Sequence, residues 1–211
     1  MALCIRTHFS HGSHPSSLVR YKRRPTIDTM LSLTLYCSSY LLCCVLRLDF
    51  MQLCVVLIGK PRPSEFGAVI DLYLARIRKL VDCEVISLRG ERIDRRRPEE
   101  IKSAEGRKVL STLRPDDWLA VCDERGKSLK TADLARIMDE AFSAGPRFAG
   151  KKRLVVLVGG ALGVSSEVRK RADALWALSG LTLAESVARV VLVEGIYRAI
   201  TVMKGHPYHN E

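Results

Sequence analysis

Between residues 153 and 160 the chain reads "RLVVLVGG", five consecutive apolar residues running straight into paired glycines. A strand of that composition has no face to give to water and needs cover on both sides. A parallel sheet with helices on either face provides that cover. The neighbouring text agrees. "MQLCVVLIG" at 51–59 is another apolar run ending in Gly, and "EVISL" at 84–88 alternates like a strand. "DWLAVCD" at 117–123 predicts a further strand, closed by the turn residues Glu124, Arg125 and Gly126.

Helical spacing fills the intervals. Phe66, Ile70, Tyr73, Leu74, Ile77 and Val81 predict a helix over 63–81, and Pro98 opens a second that runs to about Leu113. Leu134, Ile137, Met138, Ala141 and Phe142 predict a helix over 131–144, terminated by Gly145-Pro146. Val168, Ala172, Leu175 and Trp176 mark another helix, "LTL" at 181–183 a last short strand, and 186–203 a final helix. The class is therefore α/β, with a mostly parallel sheet flanked by helices. The final helix, "SVARVVLVEGIYRAITVM", is apolar nearly all round and must be covered on more than one side. A second subunit supplies that cover most simply, so a homodimer is expected.

The chain carries 34 Lys and Arg against 23 Asp and Glu, a net charge of +11. Such a balance favours polyanionic partners and is silent about fold. "RGERIDRRRP" at 89–98 is the densest basic segment downstream of residue 50, either solvated loop charge or a phosphate contact. Seven cysteines are present without a Cys-x-x-Cys. Cys54, Cys83 and Cys122 lie singly in apolar runs and read as buried, reduced thiols.

Residues 1–50 are a different text. "MALCIRTHFSHGSHPSSLVRYKRRPTIDT" has no acid before Asp28, and "MLSLTLYCSSYLLCCVL" is apolar but broken by Ser, Thr and Cys. An over-extended start, an organelle presequence and a membrane anchor all fit this composition. The first two leave 51–211 as the working domain, cytoplasmic in the first case and organellar in the second.

Gly159, Gly160 and Gly163 sit after the central strand and before a helix, where a parallel sheet binds its ligands. The spacing is neither that of a dinucleotide fold nor that of a phosphate-binding loop with Lys-Ser/Thr. Alone, it fits a structural turn as well as a nucleotide site. Taken with "ADALWALSGLTL" at 172–183, "VARVVLVEGIYRA" at 187–199 and the closing "HPYH" at 206–209, however, "LVGGALG" at 157–163 resembles the RlmH-type SPOUT methyltransferases. The resemblance runs from Met51 to Glu211.

That resemblance implies S-adenosyl-L-methionine as cofactor and methylation of N3 of a pseudouridine in 23S (large-subunit) ribosomal RNA. It also implies a C-terminal trefoil knot holding the cofactor, and an active site completed across a homodimer on the ribosome. Carried over by position, the cofactor residues are Cys122, Gly160, Ser179, Gly180, Leu181, Thr182, Leu183 and Ala184. The catalytic or substrate-side residues are Glu194, Arg198, Tyr208 and His209, with His206 close by, and no metal is implied. The chain departs from the family at Ala161-Leu162, at Ala184-Glu185-Ser186 in place of a Pro-His-Pro segment, and at Asn210. These changes are expected nearer the RNA end of the pocket than the cofactor end. A SPOUT enzyme with another RNA target and a non-catalytic ribosome-binding protein of the same fold are the alternatives.

Overall fold

The computed structural model describes residues 51–59, 65–93 and 96–205. Residues 1–50 and the tail from His206 onward, with Tyr208, His209 and Asn210, lie outside the described residues. Five strands alternate with five helices: β1 (Gln52–Ile58), α1 (Glu65–Arg78), β2 (Cys83–Leu88), α2 (Pro98–Thr112), β3 (Asp117–Ser128), α3 (Thr131–Phe142), β4 (Arg153–Val158), α4 (Ser166–Arg171), β5 (Ala174–Ala177) and α5 (Glu185–Met203). All pairings are parallel and the strand order is β2-β1-β4-β3-β5.

The apolar run "RLVVLV" is β4, the central strand, buried at every position. Its residues divide by parity, as a pleated strand requires. Leu154, Val156 and Val158 join a core built with α1, α3 and α5, whereas Val155 and Leu157 join one built with Val109 of α2 and Val168 of α4. β1 divides the same way, with Leu53, Val55 and Leu57 on the first side and Cys54, Val56 and Ile58 on the second. Cys54 and Cys83 are buried free thiols, and burial pushes them up to about 12 and about 11.

Three local expectations need correction. Leu175 and Trp176 belong to β5, not to a helix, because α4 ends at Arg171 and Ala174–Ala177 pair with β3. Four residues are too few for periodicity to tell strand from helix. Leu181–Leu183 form no strand; the Leu181 N–H is taken by the Ser179 hydroxyl at 3.0 Å instead of by a ladder. Finally, β3 does not stop at Asp123. It loops out over Asp123–Gly126, so that Cys122 and Lys127 both pair with Trp176, and continues to Ser128.

At the opposite edge of the sheet, the strands start over a buried ion cluster. Arg153, only 2% exposed, donates its Nε and one terminal nitrogen to the two carboxylate oxygens of Asp117 at 2.8 and 2.7 Å. It also reaches Glu84 at 3.1 Å and the Thr112 carbonyl at 3.1 Å, tying β2, β3, β4 and α2 together. Burial alone would raise the Asp117 carboxyl. The Arg153 fork and the Arg114 N–H outweigh it and hold the pKa below the usual carboxylate value. A depressed folded pKa gives stability that is present above the unfolded value, near 3.9, and lost as pH falls through the folded one. Asp117→Asn strands the buried guanidinium and is expected to cost about 3–5 kcal/mol at neutral pH. Urea unfolding as a function of pH checks this, and the variant should also lose stability less steeply than wild type below about pH 4.

Candidate active site

A cavity of about 350 Å³ opens at the carboxyl end of β4 and the loop-out of β3, on the edge at which parallel α/β sheets bind ligands. Cys122 and Val158, register partners at this end of β3 and β4, both line it. One wall is the turn Gly159–Val164 and the facing wall is the segment Leu178–Leu183 that follows β5. The looped-out Asp123–Arg125 and the first turn of α5, with Glu185 and Ala188, complete it.

The glycine turn is closed by a Gly163 N–H to Gly160 carbonyl bond of 2.9 Å, and Gly163 holds φ +83°, a conformation that side chains disfavour. At Gly160 a Cβ would lie 2.6 Å from the Glu105 carboxylate, so the backbone there approaches the protein closely.

Side-chain bonds stitch the walls to one another. Arg169 Nε donates to Asp123 at 2.8 Å and a terminal nitrogen donates to the Val164 carbonyl at 2.8 Å, joining the end of the glycine turn to the loop-out. Thr182 Oγ1 donates to Glu124 at 3.3 Å across the opening. Glu185 pairs with Arg189, whose guanidinium also donates to the Ile58 carbonyl. Arg189 is buried and burial lowers its pKa; its Nε has no partner among the described residues. Burial pushes the Cys122 thiol up to about 12, so it stays protonated at neutral pH and contributes shape, not a nucleophile. Leu181 is 76% exposed, an apolar side chain at the rim.

Of the residues expected to bind cofactor, Cys122, Gly160, Ser179, Leu181, Thr182 and Leu183 all line this cavity. Gly180 and Ala184 lie in the same stretch of chain but not on its wall, Ala184 being the cap residue of α5. Glu194 and Arg198 are brought to each other, with Arg198 Nε donating to Glu194 at 3.0 Å, but neither lines the cavity. They lie six and ten residues beyond Ala188, about 9 and 15 Å along the helix. The departures from the family at Ala161, Leu162 and Glu185 are on the cavity wall itself, not beyond it. Sequence reading missed Asp123, Glu124, Arg125, Lys102 and Arg169. The acids of "DERG" immediately after an apolar strand were the available signal, but Asp123 and Arg169 are 46 residues apart and no spacing rule connects them.

A family model described as "Predicted SPOUT methyltransferase" matches residues 51–209. The chain belongs to the SPOUT methyltransferase family. Curated relatives are named Ribosomal RNA large subunit methyltransferase H. That of Desulfitobacterium hafniense (strain DSM 10664 / DCB-2) is 34% identical over 163 residues, covering 75% of this chain and 99% of the relative. That of Nitrosospira multiformis is 34% identical over 160 residues, with 75% and 99% covered. That of Thioalkalivibrio sulfidiphilus is 32% identical over 165 residues, with 76% and 100% covered. Membership implies a methyl donor. Among the described residues no group of His, Cys, Asp or Glu is arranged to hold a metal, and no helix is long and apolar enough to cross a membrane.

Proposed function

We propose that this SPOUT methyltransferase transfers a methyl group from S-adenosyl-L-methionine to N3 of a pseudouridine in large-subunit ribosomal RNA, working in the cytoplasm through the domain 51–211. The observation that carries the reading is the cavity, which gathers the glycine turn and the Ser179–Leu183 segment from separate parts of the chain. Its volume of about 350 Å³ lies within the range of small-ligand sites. Leu181, Leu183 and Val158 offer apolar walls to adenine, and the Ser179 and Thr182 hydroxyls with the turn amides offer polar edges. The relatives' names supply the ribosomal RNA, and the trefoil knot implied by the family resemblance belongs to the same proposal.

The bound cofactor supplies an electrophilic methyl group. The protein must align N3 with it, and alignment of this kind contributes several kcal/mol. His209 accepts the imide proton, as His does near neutrality. Tyr208 stacks on or hydrogen-bonds the base, and Arg198, fixed by Glu194, balances negative charge on the ring or holds a phosphate.

A homodimer with composite sites, implied by the family resemblance, belongs to the same proposal. The apolar side chains left exposed on α1 (Phe66, Val69 and Leu72) and on α5 (Val191) are available for burial by a second copy.

Calorimetry on residues 51–211 tests the reading. We expect S-adenosyl-L-methionine to bind with an affinity in the range of about 1 μM–1 mM typical of enzyme substrates. A folded protein that gives no binding heat and no ligand-induced rise in melting temperature would contradict it.

A further inference from the structure

The composition of the basic segment after β2 fits solvated charge and a phosphate contact equally, and its surroundings in the fold bear on that choice. Because every strand is parallel, β2 ends at the same edge of the sheet as the cavity. Arg89, Arg92 and Arg97 are exposed there. Glu91 is engaged inside the segment: Lys108 Nζ binds it at 2.5 Å and Arg96 at 3.1 Å, while Lys108 also binds the Arg89 carbonyl at 2.8 Å. These bonds brace the backbone, and the Glu91 carboxylate is already paired with two cations. Of the two acids opening α2, Glu99 is paired with Lys102 at 2.5 Å.

Glu105 connects this segment to the cavity. It is only 6% exposed, and one carboxylate oxygen accepts the Glu91 N–H at 2.9 Å. The other faces Gly160, where a Cβ would come within 2.6 Å, and Gly90 packs from the side of the basic segment, where a Cβ would lie 3.4 Å away. One buried carboxylate therefore lies between the backbone carrying the arginines and the glycine turn of the cavity. A carboxylate kept from water needs such a structural reason, since burial of charge is costly.

We propose that Arg89, Arg92 and Arg97 form a docking rim for the phosphates of the RNA substrate, and that Glu105 is a positioning residue holding this rim in register with the cofactor turn. The inference rests on the proposed function and adds to it the surface that grips the RNA and the link between that grip and the cavity.

Binding of a large-subunit rRNA fragment, measured by fluorescence anisotropy between about 50 and 200 mM salt, tests the rim. The double variant Arg92→Ser/Arg97→Ser should bind RNA about tenfold more weakly at fixed salt, and its log–log salt slope should shrink by about 2, one for each arginine removed from a phosphate. Its melting temperature and S-adenosyl-L-methionine affinity should match wild type. Wild-type affinity and slope in this variant would overturn the rim. For the link, Glu105→Ala should raise KM for RNA and weaken the cofactor together, with the salt slope unchanged because the arginines remain. Glu105→Gln, which keeps an acceptor for the Glu91 N–H, should recover both. Failure of Gln to recover either, in a variant that melts like wild type, would overturn the positioning role. Failure of the underlying reading looks different: wild type itself would bind no rRNA, and the inference would fall with it.

Discussion

Removal of residues 206–211 should leave the fold and cofactor affinity of this SPOUT methyltransferase intact while methyl transfer collapses, and His209→Ala alone should lower turnover by about 10²–10⁴-fold. The cavity wall is drawn from residues between Lys102 and Ala188, and the described core ends at Met203. Among the described residues, both close without the tail. A proton acceptor acts in the transition state, so His209→Ala should change kcat far more than RNA affinity. Tyr208→Ala should weaken RNA capture as well, because a stacking contact is worth about 1–3 kcal/mol. Single-turnover methyl transfer alongside RNA and cofactor binding separates these effects, and a truncated chain as fast as wild type would remove the tail from the mechanism.

Gly160→Val should weaken S-adenosyl-L-methionine binding by about tenfold or more, through overpacking that typically costs about 1–3 kcal/mol. A side chain at this position would meet the Glu105 carboxylate at 2.6 Å, so the glycine turn that shapes the cavity must move to make room. Calorimetry measures the loss, and Glu105→Ala in the same chain should restore part of it by emptying the space. The two damaged proteins also test the composite site. A Gly160→Val protomer keeps its tail and a His209→Ala protomer keeps its cavity, so at cofactor concentrations too low to saturate the Gly160→Val site mixed dimers should be more active than either parent. No recovery in verified mixed dimers would confine each site to one protomer.

The alternation of buried strand and helix was legible because β1 and β4 are apolar at nearly every position, and only a sheet covered on both faces accommodates them. α5 was legible as an almost wholly apolar helix, yet its buried Arg189, in contact with Glu185 and the Ile58 carbonyl, was not. Periodicity weighs each position by hydrophobicity and cannot see that one charge has a partner on a distant strand. The same limit hid the Arg153–Asp117 pair, 36 residues apart, and the role of Glu105 between two loops. β5 was misread because its four residues continue the apolar spacing of α4, and only pairing with β3 decides their state. Six of the positions that the family resemblance assigns to the cofactor line the cavity, because its specific segments fall on the cavity wall. The glycines alone would not have distinguished a ligand site from a turn.

Methylation of large-subunit ribosomal RNA is the activity on which the roles of cavity, rim and tail all depend. Residues 51–211 should be incubated with isotopically labelled S-adenosyl-L-methionine and large-subunit rRNA or ribosomes from cells lacking this protein, and the RNA digested for nucleoside mass spectrometry. The expected product is one labelled nucleoside, an N3-methylated pseudouridine, that disappears when His209→Ala replaces wild type. Label at a different nucleoside would contradict the assigned target, and no label in any RNA from a protein that binds the cofactor would contradict the activity itself.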